Sequence, residues 1–258
     1  MVRGEGISFR VGKQVLLRPT DVGFAKGKFH VIMGANGAGK STLLKLLSGD
    51  QEPSAGNVFL AEKNLSSYSK TELAVKRAVL SQHYHLAFPI TVNEVVLMGR
   101  YPFYGINPSA NDIAICRKAM AMMEVEKFSE RDYTTLSGGE AQKVQMSRVL
   151  SQIWNEEGSD NKLLFLDEPV SHLDVKYQYQ LMRIAKAFCG QQTTVIAVLH
   201  DINLAIAFAD RILFMKEGEI RHVLDDVALV TPAIIDEIFG VSSAIIHDER
   251  HARPIVVF

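Results

Sequence analysis

Three apolar runs along the chain predict buried β-strands. They cover residues 29–33, 163–168 and 193–199, and the second run ends in two carboxylates. Strands that are apolar at nearly every position are expected where helices cover both faces of a sheet. Helical patterns follow these three runs, over 40–48, 174–189 and 202–210. This alternation of strand and helix predicts an α/β fold.

Shorter β-type runs near the N-terminus have a different character. Runs within 6–17, broken by a turn at Gly12-Lys13, and over 22–24 predict a small antiparallel sheet beside the core. A sheet in this place often offers an aromatic ring for a base to stack on. Phe9 and Val11 are the candidates, and which residue meets a base stays open. Further elements are predicted as a helix over 69–77, strands over 57–60 and 78–82, and a hairpin over 211–223 that turns at Glu217-Gly218.

The stretch from about 88 to 154 is mostly helical in pattern. Thr91 is placed to cap a first helix, and the methionines at 120, 122 and 123 favour packing inside a helical lobe. A polar loop over 155–161 returns the chain to the core. We therefore expect a helical lobe inserted into the α/β unit, with helices over 91–98, 111–123 and 138–154.

Composition limits the classes of protein to which the chain can belong. The 258 residues suffice for one large α/β domain, and a net charge of −1 gives no sign of nucleic-acid binding. Cys116 and Cys189 are far apart and fit neither a disulfide framework nor a zinc site. The N-terminus has no apolar signal core, and no apolar run approaches the ~18 residues that cross a bilayer. The expectation is a cytosolic protein whose membrane role, if any, comes through a partner.

The first chemical motif is the stretch GANGAGKST at 34–42, which matches the phosphate-loop pattern G-x-x-x-x-G-K-[ST]. Its glycines allow successive backbone N–H groups to point inward at phosphates, and the helix start adds further unpaired N–H groups. Lys40 supplies a cation for the β- and γ-phosphates, and the Ser41 hydroxyl can ligate Mg²⁺. The predicted nucleotide-binding residues are Gly34, Ala35, Asn36, Gly37, Ala38, Gly39, Lys40, Ser41 and Thr42.

Candidate catalytic residues stand where the other predicted strands end. Asp167 can hold a Mg²⁺ shell, and Glu168 can accept a proton from an attacking water. His200 follows the third apolar run. Gln82 ends the strand predicted over 78–82, where a surface amide and a ligand of Mg²⁺ or water are both open interpretations.

A second stretch, Leu136-Ser-Gly-Gly-Glu140, also opens a helix and forms a second anion-binding N-terminus. One chain needs only one phosphate cradle for one nucleotide. The economical interpretation is that Ser137, Gly138, Gly139 and Glu140 face a nucleotide held by another copy.

Taken in order, these motifs resemble those of the ATP-binding cassette (ABC) ATPases over almost the whole chain. The resemblance implies a P-loop NTPase (RecA-like) core over 1–87 and 160–258 with an antiparallel β-subdomain, and a helical signature subdomain over 88–159. It implies ATP and Mg²⁺ as cofactors and a head-to-tail dimer that sandwiches two ATP. In the same way it implies catalytic roles for Glu168, His200 and Gln82, and Mg²⁺ binding by Ser41, Gln82 and Asp167.

Within that family, segments 82–89, 91–102 and 148–154 are similar to ATPases of iron-chelate, cobalamin and haem importers, and to haemin importers in particular. The resemblance implies a polytopic permease dimer as partner, a periplasmic binding protein acting indirectly, and a place at the cytoplasmic face of the inner membrane. Because the transported substrate does not touch such a subunit, His83 and His85 need not be haem ligands. The chain departs from the family pattern at Val170, His172 and Lys143.

Other functions remain as alternatives. The substrate could be a ferric siderophore or cobalamin, and a soluble ABC ATPase of iron–sulfur cluster assembly is a different class with the same motifs. A metabolic phosphotransferase would need an acceptor pocket and an arginine-bearing lid, and the sequence offers neither. Long coiled-coil insertions and a second cassette, typical of repair and translation ATPases, do not occur in these 258 residues.

Overall fold

The structure is a computed structural model that describes residues 1–82, 86, 88–154, 161–171, 173–190, 193–247 and 253–258. The strands are β1 (Val2–Val11), β2 (Gln14–Phe24), β3 (Phe29–Gly34), β4 (Ala55–Leu60), β5 (Lys63–Asn64), β6 (Arg77–Leu80), β7 (Lys162–Asp167), β8 (Thr193–Val198), β9 (Arg211–Lys216), β10 (Glu219–Leu224), β11 (Ala244–Ile246) and β12 (Ile255–Val257). The helices are α1 (Lys40–Ser48), α2 (Lys70–Lys76), α3 (Val92–Leu97), α4 (Ala110–Met122), α5 (Gly138–Ile153), α6 (Val175–Phe188), α7 (Ile202–Phe208) and α8 (Pro232–Phe239).

A six-stranded sheet in the order β10-β9-β3-β8-β7-β6 forms the centre of the fold. Every neighbouring pair is parallel except the β9–β10 hairpin at one edge. A separate antiparallel sheet has the order β2-β1-β4-β5, and β11 pairs with β12. The predicted α/β class with a small antiparallel sheet beside the core is confirmed.

The central strands are apolar at most positions because both faces of the sheet are buried. Successive side chains of a strand point to opposite faces. In β3, Phe29, Val31 and Met33 join one hydrophobic cluster, while Ile32 joins a second. The first cluster also takes in α3, α4 and α5, and the second lies between the sheet, α1 and the antiparallel sheet.

His30 occupies the only polar position in this central strand and is fully buried. Its Nε2 lies 2.9 Å from the Ala25 carbonyl oxygen, and the ring packs edge-on against Phe24. Burial disfavours the charged imidazole and lowers the pKa of His30 to about 4.

The helical block is held together by apolar packing and one buried ion pair. Helices α3 and α4 both pack on α5, and Met120 and Met123 lie in the core as the sequence predicts, whereas Met122 is only half-buried. Arg100 donates to Asp112 at 2.8 Å and to the Ser151 carbonyl at 3.0 Å, with both charged groups buried. Helix α3 ends within one residue of the predicted bound at Met98, and the chain continues as a 3₁₀ segment over Met98–Phe103.

Element bounds differ from the sequence prediction at two places that bear on the site. The runs predicted separately over 15–17 and 22–24 form one strand, β2, because pairing with β1 continues through them. Strand β6 ends at Leu80, so Gln82 lies beyond the strand and not at its last position. Parallel pairing with β7 ends at Leu80 opposite Leu166, which leaves the Gln82 backbone outside the ladder.

Candidate functional site

The loop between β3 and α1 is shaped by glycines that no other residue could replace without strain. Gly34 has a φ of +154°, and a Cβ there would collide with the Met215 carbonyl. Gly39, the residue before α1, has a φ of +94°, and a Cβ there would lie 2.6 Å from the Leu16 carbonyl oxygen. Left-handed backbone of this kind is open to glycine at low cost. The loop therefore keeps its form only with the glycines of the motif.

Lys40 turns back over this loop instead of extending into solvent. Its Nζ donates to the Gly34 and Ala35 carbonyl oxygens at 2.9 and 3.0 Å, and the residue is only 5% exposed. Burial lowers the pKa of Lys40, and the carboxylates of Asp167 and Glu168 oppose that change. The ammonium group therefore lies among the loop carbonyls, ready to exchange them for phosphate oxygens.

A cavity of about 200 Å³ opens above the loop. Its walls come from the loop and α1, together with one residue of the antiparallel sheet and one from the end of β7. The lining residues are Leu16, Asn36, Gly37, Ala38, Gly39, Lys40, Ser41, Thr42 and Glu168.

The β9–β10 turn supports the phosphate loop from below. The Gly218 N–H donates to the Ala38 carbonyl at 3.1 Å, and the Arg18 N–H donates to the Gly218 carbonyl at 2.9 Å. The turn residues Glu217 and Gly218 both have positive φ, which the two-residue hairpin requires. Sequence patterns predicted this turn, but no local signal shows that it packs on the loop.

Ser41 and Asp167 meet beside the loop although 126 positions separate them. The Ser41 Oγ donates to Asp167 Oδ1 at 2.8 Å. Burial, with a smaller contribution from neighbouring Glu168, raises the pKa of the Asp167 carboxyl, whereas Ser41 and the nearby lysines lower it. A hydroxyl and a carboxylate are oxygen ligands that suit Mg²⁺, and a divalent cation would offset the cost of burying this charge. Within the described residues no group of three or more His, Cys, Asp and Glu side chains forms a closed metal site.

Glu168 lies at the centre of a small polar cluster. Its Oε2 accepts a hydrogen bond from Gln82 Nε2 at 2.8 Å, and its Oε1 lies 2.6 Å from His200 Nε2. The Glu168 backbone has a φ of +50°, and its N–H donates to the Val198 carbonyl at 3.2 Å. The left-handed turn directs this side chain away from that of Asp167, so that the two adjacent carboxylates serve different neighbours.

Parallel strand topology explains why Gln82, Glu168 and His200 meet. They follow β6, β7 and β8, which are adjacent and point the same way, so their carboxyl ends share one edge of the sheet. His200 also precedes α7, whose N-cap Asp201 accepts from the Asn203 and Leu204 N–H groups. Gln82 is therefore not a free surface amide.

The stretch at 136–140 forms a helix start apart from the phosphate loop. Ser137 caps α5 by accepting from the Glu140 N–H at 3.3 Å, and Glu140 accepts from the Ser137 N–H at 2.9 Å. A cavity of about 470 Å³ lies against this helix start, and no residue lines both this cavity and the one above the phosphate loop. A single copy thus does not bring Ser137 to its own phosphate loop.

Comparison with known proteins agrees with this geometry. Residues 17–171 match the family described as ABC transporter, which is more than half of the chain. The chain belongs to the ABC transporter family. As an ABC transporter component it is an ATPase that binds ATP and couples hydrolysis to transport.

Several ABC relatives are similar over nearly the whole length. The hemin import ATP-binding protein HmuV of Rhodopseudomonas palustris strain BisB5 is 42% identical, over 95% of this chain and 92% of its own length. HmuV of Gloeobacter violaceus is 40% identical over all of this chain and 94% of its own. HmuV of Escherichia coli O157:H7 is 36% identical over all of this chain and 99% of its own.

Solved ABC structures share the fold. The dimeric ATP-binding cassette MJ0796, in a post-hydrolysis state with ADP and Pi, is 26% identical with a TM-score of 0.75, covering 87% of this chain and 98% of its own. An inward-facing ABC transporter described as of the metal-chelate type has a TM-score of 0.80 at 23% identity, covering 99% and 96% of the two chains. Within the described ranges of the present chain, no helix combines the length and apolarity needed to cross a membrane.

The structure shows the contacts of two of the three residues that depart from the ABC motifs. Lys143, where arginine is usual, lies with its Nζ 3.1 Å from the centre of the Tyr177 ring on α6. Val170 packs against the main hydrophobic cluster. His172, His83 and His85 lie outside the described residues. Sequence reasoning missed that Leu16 lines the cavity above the phosphate loop and that Gly218, and Arg18 through it, join that loop through backbone hydrogen bonds, because these contacts depend on which strands come together.

Proposed function

We propose that this chain is the ATP-hydrolysing subunit of a haem importer. The observation that carries the hydrolytic part is the cluster in which Gln82 and His200 hold the Glu168 carboxylate beside the phosphate loop. The substrate is inferred from relatives named as hemin import proteins at 36–42% identity over nearly the whole chain. Neither cavity needs to admit haem, because such a subunit acts on the nucleotide.

The residues of the site divide into three roles in this proposal. Lys40 and the loop N–H groups would bind the phosphates, and the Ser41 hydroxyl and Asp167 carboxylate would hold Mg²⁺, which would supply positive charge to offset that of the phosphates. Glu168 accepts the proton of the attacking water as the water oxygen bonds to the γ-phosphorus and the bond to the ADP oxygen breaks. Gln82 and His200 orient this carboxylate through their contacts with its two oxygens.

Ser137, Gly138, Gly139 and Glu140 serve the nucleotide of a second copy. This role is supported by the separation of the two cavities within one copy and by the dimeric form of the MJ0796 cassette. Closing two copies head to tail would complete both sites. The division into a core over 1–87 and 160–258 and a helical signature subdomain over 88–159 belongs to the same proposal.

A permease dimer is the proposed membrane partner, docked on the helical block near Gln82. Three apolar residues of the segment 88–106 are strongly exposed, with exposed fractions of 55% for Phe88, 57% for Tyr101 and 96% for Ile106. Exposed apolar side chains mark an interaction site where they form a contiguous surface. Val95 and Val96 are fully buried, so we place the docking surface at the exposed residues and not over the whole of 95–101. The subunit would then lie peripherally at the cytoplasmic face of the inner membrane, with a periplasmic binding protein delivering substrate on the other side.

Reconstitution tests this function directly. The chain is co-purified with its permease, placed in vesicles with ATP inside, and assayed for haem, ferric-siderophore and cobalamin uptake. We expect ATP-dependent haem uptake that Lys40→Ala abolishes. Uptake of a ferric siderophore and not of haem would make the siderophore the transported substrate. A ferric siderophore is the second candidate because the fold is similar to that of a transporter described as of the metal-chelate type. Recovery without any membrane protein, but with iron–sulfur assembly proteins, would overturn the import function.

A further inference from the structure

Helix α5 is joined to the core by a row of long polar side chains. Gln142 Nε2 donates to the Pro169 carbonyl at 2.9 Å, and Arg148 Nη2 to the Val79 carbonyl at 3.4 Å. Gln152 Nε2 donates to the carbonyls of residues 74 and 77 at 2.8 and 3.0 Å. Arg148 and Gln152 are four positions apart and lie on the same face of the helix, whereas Gln142 lies nearer its start. The helix capped by Ser137 is thus hydrogen-bonded to the core at several points along its length.

The Gln142 bond reaches the turn that carries Glu168. Pro169 follows Glu168 directly and is buried, so its carbonyl needs a partner inside the protein. The Glu168 carbonyl accepts from the Ser171 N–H at 3.4 Å and from the Ser171 Oγ at 3.2 Å. Ser171 therefore stabilises the turn through hydrogen bonds within it, and Gln142 stabilises it through a hydrogen bond from helix α5.

The conformation of this turn sets where the Glu168 carboxylate lies. The φ of +50° at Glu168 is uncommon for a residue with a side chain and persists only where neighbouring groups fix it. The bonds from Gln82 and to His200 depend on that placement. Loss of the Gln142 bond would leave a buried carbonyl unpaired one residue from the proposed base.

We propose that Gln142 is a positioning residue that fixes the Glu168 turn and links it to the helix starting at Ser137. The proposal rests on the proposed roles of Glu168 as base and of Ser137 as the contact to the second copy's nucleotide. Residues 137 and 142 are a little over one turn apart on a single rigid helix. Docking of the partner's nucleotide at Ser137 would then adjust the carboxylate that hydrolyses the chain's own nucleotide.

The test uses two variants at Gln142 and two matched controls. Gln142→Glu keeps the side-chain shape but replaces the amide donor with a carboxylate, and Gln142→Leu removes hydrogen bonding. Gln152→Glu and Gln152→Leu make the same changes on the same helix, where the acceptors lie at α2 and β6 and not at Glu168. Each purified variant is measured for melting temperature, ATP binding, KM, kcat and the Hill coefficient for ATP.

We expect both Gln142 variants to lose roughly 10- to 100-fold in kcat, since a displacement of about 1 Å at a catalytic group costs on the order of 100-fold. Their KM and ATP affinity should stay within about twofold of the wild type, and their Hill coefficient should fall toward 1. The Gln152 variants should keep the wild-type kcat, with at most a lower melting temperature.

Three outcomes would overturn the inference. The kcat of the Gln142 variants could stay within twofold of the wild type, or kcat could fall equally in the Gln142 and Gln152 variants. The third is that the Gln142 variants lose ATP binding while their kcat is unchanged. Glu168→Gln is run beside them to keep the proposed function separate. If Glu168→Gln hydrolyses ATP normally, the assignment of the base fails. If it is inactive while the Gln142 variants are normal, only the positioning role fails.

Discussion

Replacement of Glu168 by glutamine isolates the proton-accepting role, because the amide has nearly the shape of the carboxylate. In the structure the two carboxylate oxygens face different partners, Gln82 Nε2 at 2.8 Å and His200 Nε2 at 2.6 Å. A glutamine at 168 keeps one acceptor oxygen and turns an NH₂ group toward the other partner. The positive φ at this position is no harder for glutamine than for glutamate.

The charge change also affects the neighbouring carboxylate in a direction that the structure fixes. Burial raises the pKa of Asp167 first, and the negative charge of Glu168 adds to this effect. Replacing Glu168 by glutamine removes this second cause of the raised pKa of Asp167. Binding of ATP with Mg²⁺ should therefore be kept or strengthened in Glu168→Gln.

Hydrolysis should fall by about 10²- to 10⁴-fold, the usual contribution of a positioned base. This range corresponds to about 3–5 kcal/mol of transition-state stabilisation. Since closure of two copies needs the phosphate and signature contacts but no proton transfer, the variant should accumulate as an ATP-loaded dimer.

The assay pairs single-turnover cleavage of ATP with measurement of the oligomeric state in the presence of Mg²⁺ and ATP. Slow cleavage together with a stable dimer is the expected result. Slow cleavage with lost nucleotide binding would show that Glu168 supports the loop and does not act as the base. Cleavage within a few-fold of the wild type would move the proton acceptor to His200 or another group.

Four further predictions address other parts of the chain. Lys40→Ala should abolish hydrolysis and weaken ATP binding at least tenfold, measured by calorimetry, because a buried ammonium in the loop is lost; near-normal turnover would contradict the phosphate-loop role. Ser137→Arg should leave ATP binding to one copy intact and block dimer closure in a hydrolysis-deficient background, and a normal dimer on size exclusion would count against the shared site. Tyr101→Ser should lower transport while leaving the basal ATPase activity and the melting temperature unchanged, whereas Val95→Ser, at a buried position, should lower the melting temperature. Unchanged transport in Tyr101→Ser would place the docking surface elsewhere. The pKa of His30 is about 4 in the folded state against about 6.5 in the unfolded chain, so below pH 6.5 the unfolded chain binds an extra proton. The contribution of His30 to the free energy of unfolding should therefore be complete above pH 6.5 and fall by roughly 3 kcal/mol toward pH 4. If urea titrations show that the free energy of unfolding of His30→Gln falls with pH as steeply as that of the wild type, this assignment is refuted.

Local sequence determined the parts of the site that a few consecutive residues build. The phosphate loop could be predicted at 34–42 because its glycines, its lysine and the helix start all act within nine residues. The helix beginning after Ser137 could be predicted for the same reason, since Ser137 and Glu140 form a reciprocal cap between themselves. Apolar runs likewise predicted β3, β7 and β8 within one or two residues, because burial on both faces leaves few polar positions.

Contacts between distant segments were decided only by the tertiary structure. Whether Gln82 is a surface amide or part of the site was open in the sequence, and the answer depends on β6 lying next to β7 at one edge of the sheet. The support of the phosphate loop by Gly218, and the bond from Gln142 to the Glu168 turn, join segments whose order and spacing carry no local signal. Hydrogen bonds of this kind form because the strand order of the sheet and the packing of the helices bring a donor and a buried carbonyl together. The strand order and the helix packing arise in turn from the burial of apolar surface across the whole chain.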